Sequence, residues 1–438
     1  MLNLLKIRIQ NFRNLKDVTI DLKDVHLFIG PNNSGKSNVL QAIRLGSMIV
    51  GKNLRSQDNS KYAESISFDE YELALKSIGL QKDTTCVIEF LFQLSEKLNV
   101  HLFFEIKNLR QYLFLGITER NSFEKNETSI ISLNGYQYNY IEMSISRRIQ
   151  SVSENFTLSP KAQTGVIPGF FIDTHTYANR FPNMNKNMDY LELAYTQINK
   201  FANLPIYEIS PKEMRSPSGT TGDKFIQNDA SNIVSFLDSM KSRDDEVYPN
   251  LKKTLSLITK DFSGFYLDVI DSLPEDHRLR LRFPTSTIKK FGLIDSRNKE
   301  NTIWAESLSD GILYFLAILC IVHQPNPPAI VLLEEPEKGI HPRRIKEVMD
   351  LLFALADEKK IQIILTTHST FVVNEFKDIP ENISVFENTD SLITIQNLKT
   401  DIIKKLDADI EKQGYEKVDF TDSLGENWAL GLLGGVPI

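Results

Sequence analysis

Apolar and polar residues alternate from Leu4 to Gln10 and again from Val18 to Leu22, the period of half-buried strands. A third apolar run, Val25 to Ile29, ends in a glycine-rich turn, after which Asn38 to Ile49 switches to helical spacing. The chain therefore opens as strand, strand, strand, loop, helix. Gly51 to Glu70 is polar and rich in Ser, Asn and Asp, which predicts a connection. Three β-rich runs follow, Thr85 to Leu94, Val100 to Ile106 and Gln111 to Ile117, spaced as an antiparallel meander that extends the first sheet.

Residues 119–300 carry the weakest pattern. Helices are expected at Asp189 to Ala202 and Asn232 to Met240, with turn-prone chain from Ser210 to Asp223. The run from His277 to Phe283 alternates strictly and places Arg278, Arg280 and Arg282 on one strand face. Regularity returns near Asp310 with a helix, then the all-apolar strand Ala329 to Leu333, a helix from Arg343 to Ala356 and the strand Ile361 to Thr366. Strands and helices in this alternation predict parallel βαβ units. There is no internal repeat and no sustained heptad pattern, so a long coiled-coil arm is not expected.

Composition narrows the classes. The chain has 438 residues, 41% hydrophobic and 24% charged, enough to bury a sizeable core, and disorder is not expected. A formal net charge of -7 argues against an overall electropositive nucleic-acid sleeve, though a local basic patch can sit within an acidic average. Cys86 and Cys320 both lie in apolar runs and read as small core residues. No run approaches the roughly 18 uninterrupted apolar residues of a membrane helix, and the first residues lack a signal-peptide layout, so a cytoplasmic protein without a membrane partner is expected.

The chemistry concentrates in four places. Gly30-Pro31-Asn32-Asn33-Ser34-Gly35-Lys36-Ser37 fits the phosphate-loop pattern between a predicted strand and a predicted helix. Glycines let backbone N–H groups turn toward a phosphate, Lys36 can reach the β- and γ-phosphates, and the Ser37 hydroxyl can hold Mg²⁺. Ile330 to Leu333 leads into Glu334 and Glu335. Alone, this is a pair of solvated acids capping a strand; beside a phosphate loop, Glu334 becomes a metal ligand and Glu335 the group that polarises water. Ile363 to Leu365 leads to His368 just past the strand's C-terminal edge, where ligands collect in open α/β sheets, so His368 is expected at the γ-phosphate. Ser309, Asp310 and Gly311 open a helix. That is an ordinary helix cap or an anion site.

Together these elements resemble the ABC-type ATPases, within the branch that includes RecF, the SMC proteins and the OLD-family nucleases. Asn11-Phe12-Arg13-Asn14 is similar to that branch's opening motif, Leu308-Ser309-Asp310-Gly311 to its signature, and Glu334 through Pro342 to its acidic strand and following loop. The resemblance covers residues 1 to about 50 and 300 to about 375. It implies an α/β ABC-ATPase head, a mixed and parallel phosphate-loop sheet with an antiparallel β part, formed by residues 1–118 and 301–438 around an inserted α+β lobe at 119–300. It implies ATP and Mg²⁺ as ligands. The nucleotide contacts fall on Arg13, Asn32, Asn33, Ser34, Gly35, Lys36, Ser37 and Asn38, the metal on Ser37 and Glu334, and the catalytic roles on Glu335, His368 and Lys36. Ser309, Gly311 and His341 would act on ATP held by a second copy, which makes a homodimer or higher homo-oligomer the working form. Three departures stand out: Glu334 where aspartate is usual, Asp310 where many signatures have glycine, and three candidates, Gln81, Gln93 and Gln163, for the family's lid glutamine.

Two roles remain open. Stand-alone proteins resembling this one often regulate bacterial anti-phage defence through a separate effector, a nuclease or toxin. A RecF-like DNA clamp is the alternative, with Arg278, Arg280, Arg282, Lys289 and Lys290 as a phosphate-binding face. A transporter motor is disfavoured, because Ser37 and Ser309 are much farther apart than that class implies. The chain after Phe376 is too short for a nuclease domain with its own sheet, and the apolar tail around Trp428 is expected to fold back on the head.

Overall fold

The computed structural model describes residues 2–53, 73–79, 84–95, 98–107, 110–120, 127–135, 193–194, 196–243, 246–270, 287–325, 327–338, 340–389, 392–415 and 418–436. Its strands are β1 (Asn3–Phe12), β2 (Leu15–Asp21), β3 (Val25–Ile29), β4 (Thr85–Gln93), β5 (Leu98–Lys107), β6 (Arg110–Arg120), β7 (Glu127–Gly135), β8 (Ile206–Tyr207), β9 (Ser218–Gly219), β10 (Phe262–Val269), β11 (Ile288–Asp295), β12 (Thr302–Trp304), β13 (Ile330–Glu334), β14 (Gln362–Thr366), β15 (Ile383–Thr389) and β16 (Leu392–Asn397). The helices that matter below are α1 (Lys36–Asn53), α2 (Ile233–Ser242), α3 (Val247–Thr259), α4 (Asp310–His323), α5 (Pro342–Lys359), α6 (Thr370–Asn374), α7 (Lys404–Lys412) and α8 (Leu424–Ala429).

The central sheet runs β16-β15-β3-β14-β13-β8, with β15, β3, β14, β13 and β8 mutually parallel and β16 antiparallel at the edge. Its strands are apolar on both faces, and successive side chains enter different cores. Leu27, Val331, Leu333, Ile363 and Leu365 join a core with α2, α3, α4 and α5. Phe28, Ile330, Leu332 and Ile364 join a second core with α1 and the antiparallel sheet β2-β1-β4-β5-β6-β7. Burial on both faces is why these strands read as unbroken apolar runs. In β4, by contrast, buried and half-buried residues alternate, the sign of a one-faced sheet.

The α/β expectation holds, and the meander does extend the first sheet. Both cysteines are buried and free. Described residues of 119–300 pack into both cores: the ring of Phe201 meets Phe90 and Phe92 edge-on at 5.1 and 4.9 Å, while β8 forms the edge of the central sheet. Strands β10 and β11, which periodicity did not predict, pair with β12 and β9 in a third sheet. The arginine run 277–283 lies outside the described residues; of the helix expected at 189–202, residues 193–194 and 196–199 are helical and 200–202 form a turn, while 189–192 and 195 lie outside the described residues. The tail folds back, with Leu424, Trp428 and Leu433 in the first core. Among the described residues, no helix is long and apolar enough to cross a membrane.

Candidate nucleotide site

Strand β3 ends at Ile29 and α1 begins at Lys36, so the loop between them lies at the C-terminal end of the parallel strands. Gly30 (φ 146°) and Gly35 (φ 98°) hold backbone that other residues adopt only under strain. A Cβ on Gly30 would also lie 2.4 Å from the Phe386 carbonyl oxygen, so the glycine is required twice over. Lys36 Nζ donates to the Gly30 and Pro31 carbonyls, 2.8 Å each, and so closes the loop on itself. Burial lowers the Lys36 pKa to about 8, although the nearby charges of Glu335, Glu334 and Glu337 act to raise it.

Behind the loop, Asn38 Nδ2 donates to Asn14 Oδ1 (2.6 Å), and Asn14 Nδ2 donates to the Asn33 carbonyl (3.3 Å). Arg13 is expected at the nucleotide. The structure places its Nη1 on Asn38 Oδ1 (2.9 Å) and its Nε and Nη2 on the Ser77 carbonyl and hydroxyl (3.2 and 3.0 Å). Its contacts thus buttress the loop from outside. Ser34 is buried, while Asn32 and Asn33 are exposed.

Strands β13 and β14 bring the acids and the histidine to the same edge. Glu334, in register with Thr366, accepts a hydrogen bond from the Ser37 hydroxyl. Glu335 adopts the left-handed region (φ 47°), which turns the chain out of β13 at a cost of about 1 kcal/mol. Its amide donates to the Thr366 carbonyl (3.2 Å), and its Oε1 lies 3.6 Å from His368 Nε2. Burial and the Lys36 charge lower the His368 pKa against the opposing pull of Glu335, favouring the neutral imidazole.

Glu337 lies within the stretch from Glu334 to Pro342, where the sequence assigns it no role. Its Oε1 accepts from the Thr367 hydroxyl (2.6 Å) and the His368 amide (2.9 Å), so this carboxylate sets the loop that carries His368. Burial raises its pKa. Its position two residues after Glu335 is visible in the sequence; its partners thirty residues away are not.

Ser309, Gly311 and His341 gather elsewhere. Ser309 caps α4 by accepting from the Ile312 amide (3.4 Å), and His341 caps α5 through Nδ1, which accepts from the Arg343 amide (3.3 Å). Gly311 is buried against Ile340 and Arg344, which brings the two helix starts together. Gln93, a candidate lid residue, is the last residue of β4 and pairs with Asn3 and Asn99, so it is a sheet residue; Gln81 and Gln163 lie outside the described residues. Lys289 is ion-paired with Asp238 and Lys290 lies 3.9 Å over the Trp304 ring.

The donor set suits Mg²⁺: the Ser37 hydroxyl and the Glu334 carboxylate are hard oxygen ligands already within hydrogen-bonding reach of each other. The glycine loop and Lys36 suit a polyphosphate.

The family description "AAA domain, putative AbiEii toxin, Type IV TA system" matches residues 25–374. The chain is 38% identical over 89 residues to the DNA replication and repair protein RecF of Thermoanaerobacter sp. (strain X514), covering 20% of this chain and 23% of that protein. It is 26% identical over 106 residues to the methionine import ATP-binding protein MetN of Staphylococcus saprophyticus, covering 23% of this chain and 31% of that protein. The chain thus spans less than a third of the length of these curated relatives. Among solved structures it is similar to an SMC head bound to the C-winged helix domain of ScpA, with TM-score 0.47 and 11% identity over 90% of this chain and 97% of that one.

Proposed function

We propose that this chain, which belongs to the AAA-domain family and is an ABC-type ATPase of the RecF/SMC branch, works as an ATP-gated homodimer that controls a separate effector. One observation carries the reading. The phosphate loop, Glu334, Glu335 and His368 meet at one sheet edge, Ser309, Gly311 and His341 sit at the starts of α4 and α5, and among the described residues no hydrogen bond or ion pair joins the two groups. Two such half-sites are what two copies, placed head to head, would complete for each other.

The roles follow from the groups. Lys36 would exchange its carbonyl partners for phosphate oxygens. Ser37 and Glu334 would hold Mg²⁺, which when bound offsets phosphate charge. Glu335 would take up a proton from water, with His368 nearby and Glu337 holding the histidine's loop. Ser309, Gly311 and His341 would reach this edge only from a second copy, so hydrolysis would be slow and would time the closed state. In this reading residues 119–300 form the responsive part of a head built from 1–118 and 301–438.

The type IV toxin–antitoxin wording of the family supports a role in bacterial anti-phage defence beside a nuclease or toxin. The RecF similarity supports the second reading, an ATP-gated DNA clamp, and salt-dependent DNA binding by the full chain would favour it.

The test is the mass of the full chain in solution with and without ATP and Mg²⁺, for the native protein and Glu335→Gln. Dimers driven by ATP, and locked by the substitution as hydrolysis stops, support the switch. A monomer that hydrolyses ATP equally well in both forms removes it.

A further inference from the structure

Arg215 lies far from the phosphate loop in sequence, yet its side chain reaches the start of α4. It follows the single helical turn Pro211–Met214, which Ser210 caps by accepting from the Glu213 amide (3.4 Å). Met214 is fully buried in the core, and the Arg215 amide donates to the Pro211 carbonyl (3.3 Å). With its backbone anchored in this way, Arg215 Nη2 donates to the Leu308 carbonyl (2.8 Å) and to the Asp310 carboxylate. The pair is only partly screened, with side chains 27% and 38% exposed.

Asp310 is the residue that breaks the usual signature pattern. A carboxylate in the first turn of a helix is favoured by the helix dipole. The same turn is where the signature would meet a phosphate, and two anions at one helix end repel each other. The Arg215 guanidinium removes that conflict, because the pair carries no net charge. Its second bond, to Leu308, ties down the backbone on the other side of Ser309.

We propose that Arg215 is a positioning residue for the signature: it neutralises Asp310 and pins Leu308, so that Ser309 and Gly311 can close on ATP held by a second copy. This rests on the dimer reading above. It also gives residues 119–300 a direct grip on the ATP-dependent interface, since any movement of the 211–215 turn would uncover the acid.

The experiment measures ATP- and Mg²⁺-driven dimerisation of the full chain by sedimentation, together with ATP affinity under dilute, monomeric conditions and the melting temperature of each variant. Arg215→Gln, which retains a donor for Leu308 but no charge, is expected to weaken dimerisation about tenfold, as for loss of one partner of a half-exposed ion pair, without altering monomer affinity for ATP. Combining it with Asp310→Asn should restore dimerisation to within about threefold of native, because the acid that needed neutralising is gone. Arg215→Lys, with the charge kept, should also remain within about threefold. A folded double variant no better than Arg215→Gln alone, or a native-like Arg215→Gln, overturns the proposal. Should Arg215→Gln fail to fold, a folded Arg215→Lys that does not dimerise overturns it equally. A Ser309→Arg variant separates the two readings: if it dimerises as the native chain does, the dimer reading itself fails, whatever Arg215 does.

Discussion

Glu337 shows how one side chain can set the chemistry of another. Its carboxylate holds the Thr367 hydroxyl and the His368 amide, and His368 in turn lies 3.6 Å from Glu335. Glu337→Ala leaves both donors without an acceptor, a loss of about 1–3 kcal/mol. Felt in the transition state, that corresponds to a fall in kcat of about tenfold to a hundredfold, with KM for ATP nearly unchanged because the phosphate loop is untouched. Glu337→Gln keeps an acceptor oxygen and should lose less. Steady-state hydrolysis rates decide this, and a raised KM at constant kcat would show instead that Glu337 acts on binding. At this scale the phosphate loop and the two acids were legible because their chemistry demands adjacent residues. The partners of Glu337, Arg13 and Arg215 were not legible, because each lies far along the chain from its partner.

Strands and helices depend on cross-links of the same kind. Gln362, at the first position of β14, sends its Oε1 and Nε2 to the Leu4 amide (2.9 Å) and carbonyl (2.8 Å), and Nε2 also donates to the Lys23 carbonyl (3.0 Å). The contact falls where the β1–β4 register shifts between Leu4 and Lys6. One fully buried amide therefore satisfies backbone groups that the antiparallel sheet leaves open and joins that sheet to the central one. Gln362→Leu preserves volume but strands these groups, and we expect about 2–4 kcal/mol of lost stability, measurable by denaturant melts. Strands β3, β13 and β14 are legible because burial on both faces leaves a continuous apolar run, whereas β8, β15 and β16 of the same sheet are not predicted. Strands β10 and β11 escaped because Phe262 to Val269 mixes buried, half-buried and exposed positions without strict alternation.

Across the whole molecule, two cores share the central sheet, and one of its two middle strands carries a buried ionisable group. His26 in β3 is fully buried, its Nε2 is 2.9 Å from the Ser384 hydroxyl, and burial lowers its pKa from 6.5 to about 3. Above pH 6.5 both the folded and the unfolded chain keep it neutral. Below that value the unfolded chain takes up a proton that the folded chain refuses until about pH 3, so stability is lost as pH falls through this window. His323 and His368 are lowered as well and act in the same direction, while the raised Glu337 acts against it. Melting temperatures at pH 7.5, 6 and 5 should fall progressively, and His26→Gln should flatten the decline; an unchanged slope in that variant would assign it to other groups. The tail is settled at this scale too, since Trp428 and Leu433 enter the core that α4 and α5 build. The sequence by itself determined what local rules govern: the phosphate loop between strand and helix, the acids ending an apolar strand, the βαβ order and the α/β class. Only the tertiary structure decided which of these groups meet. Hydrogen bonds and ion pairs such as Arg215 to Asp310, Gln362 to Leu4 and Glu337 to His368 depend on where the chain returns in space, and neither periodicity nor spacing encodes that return.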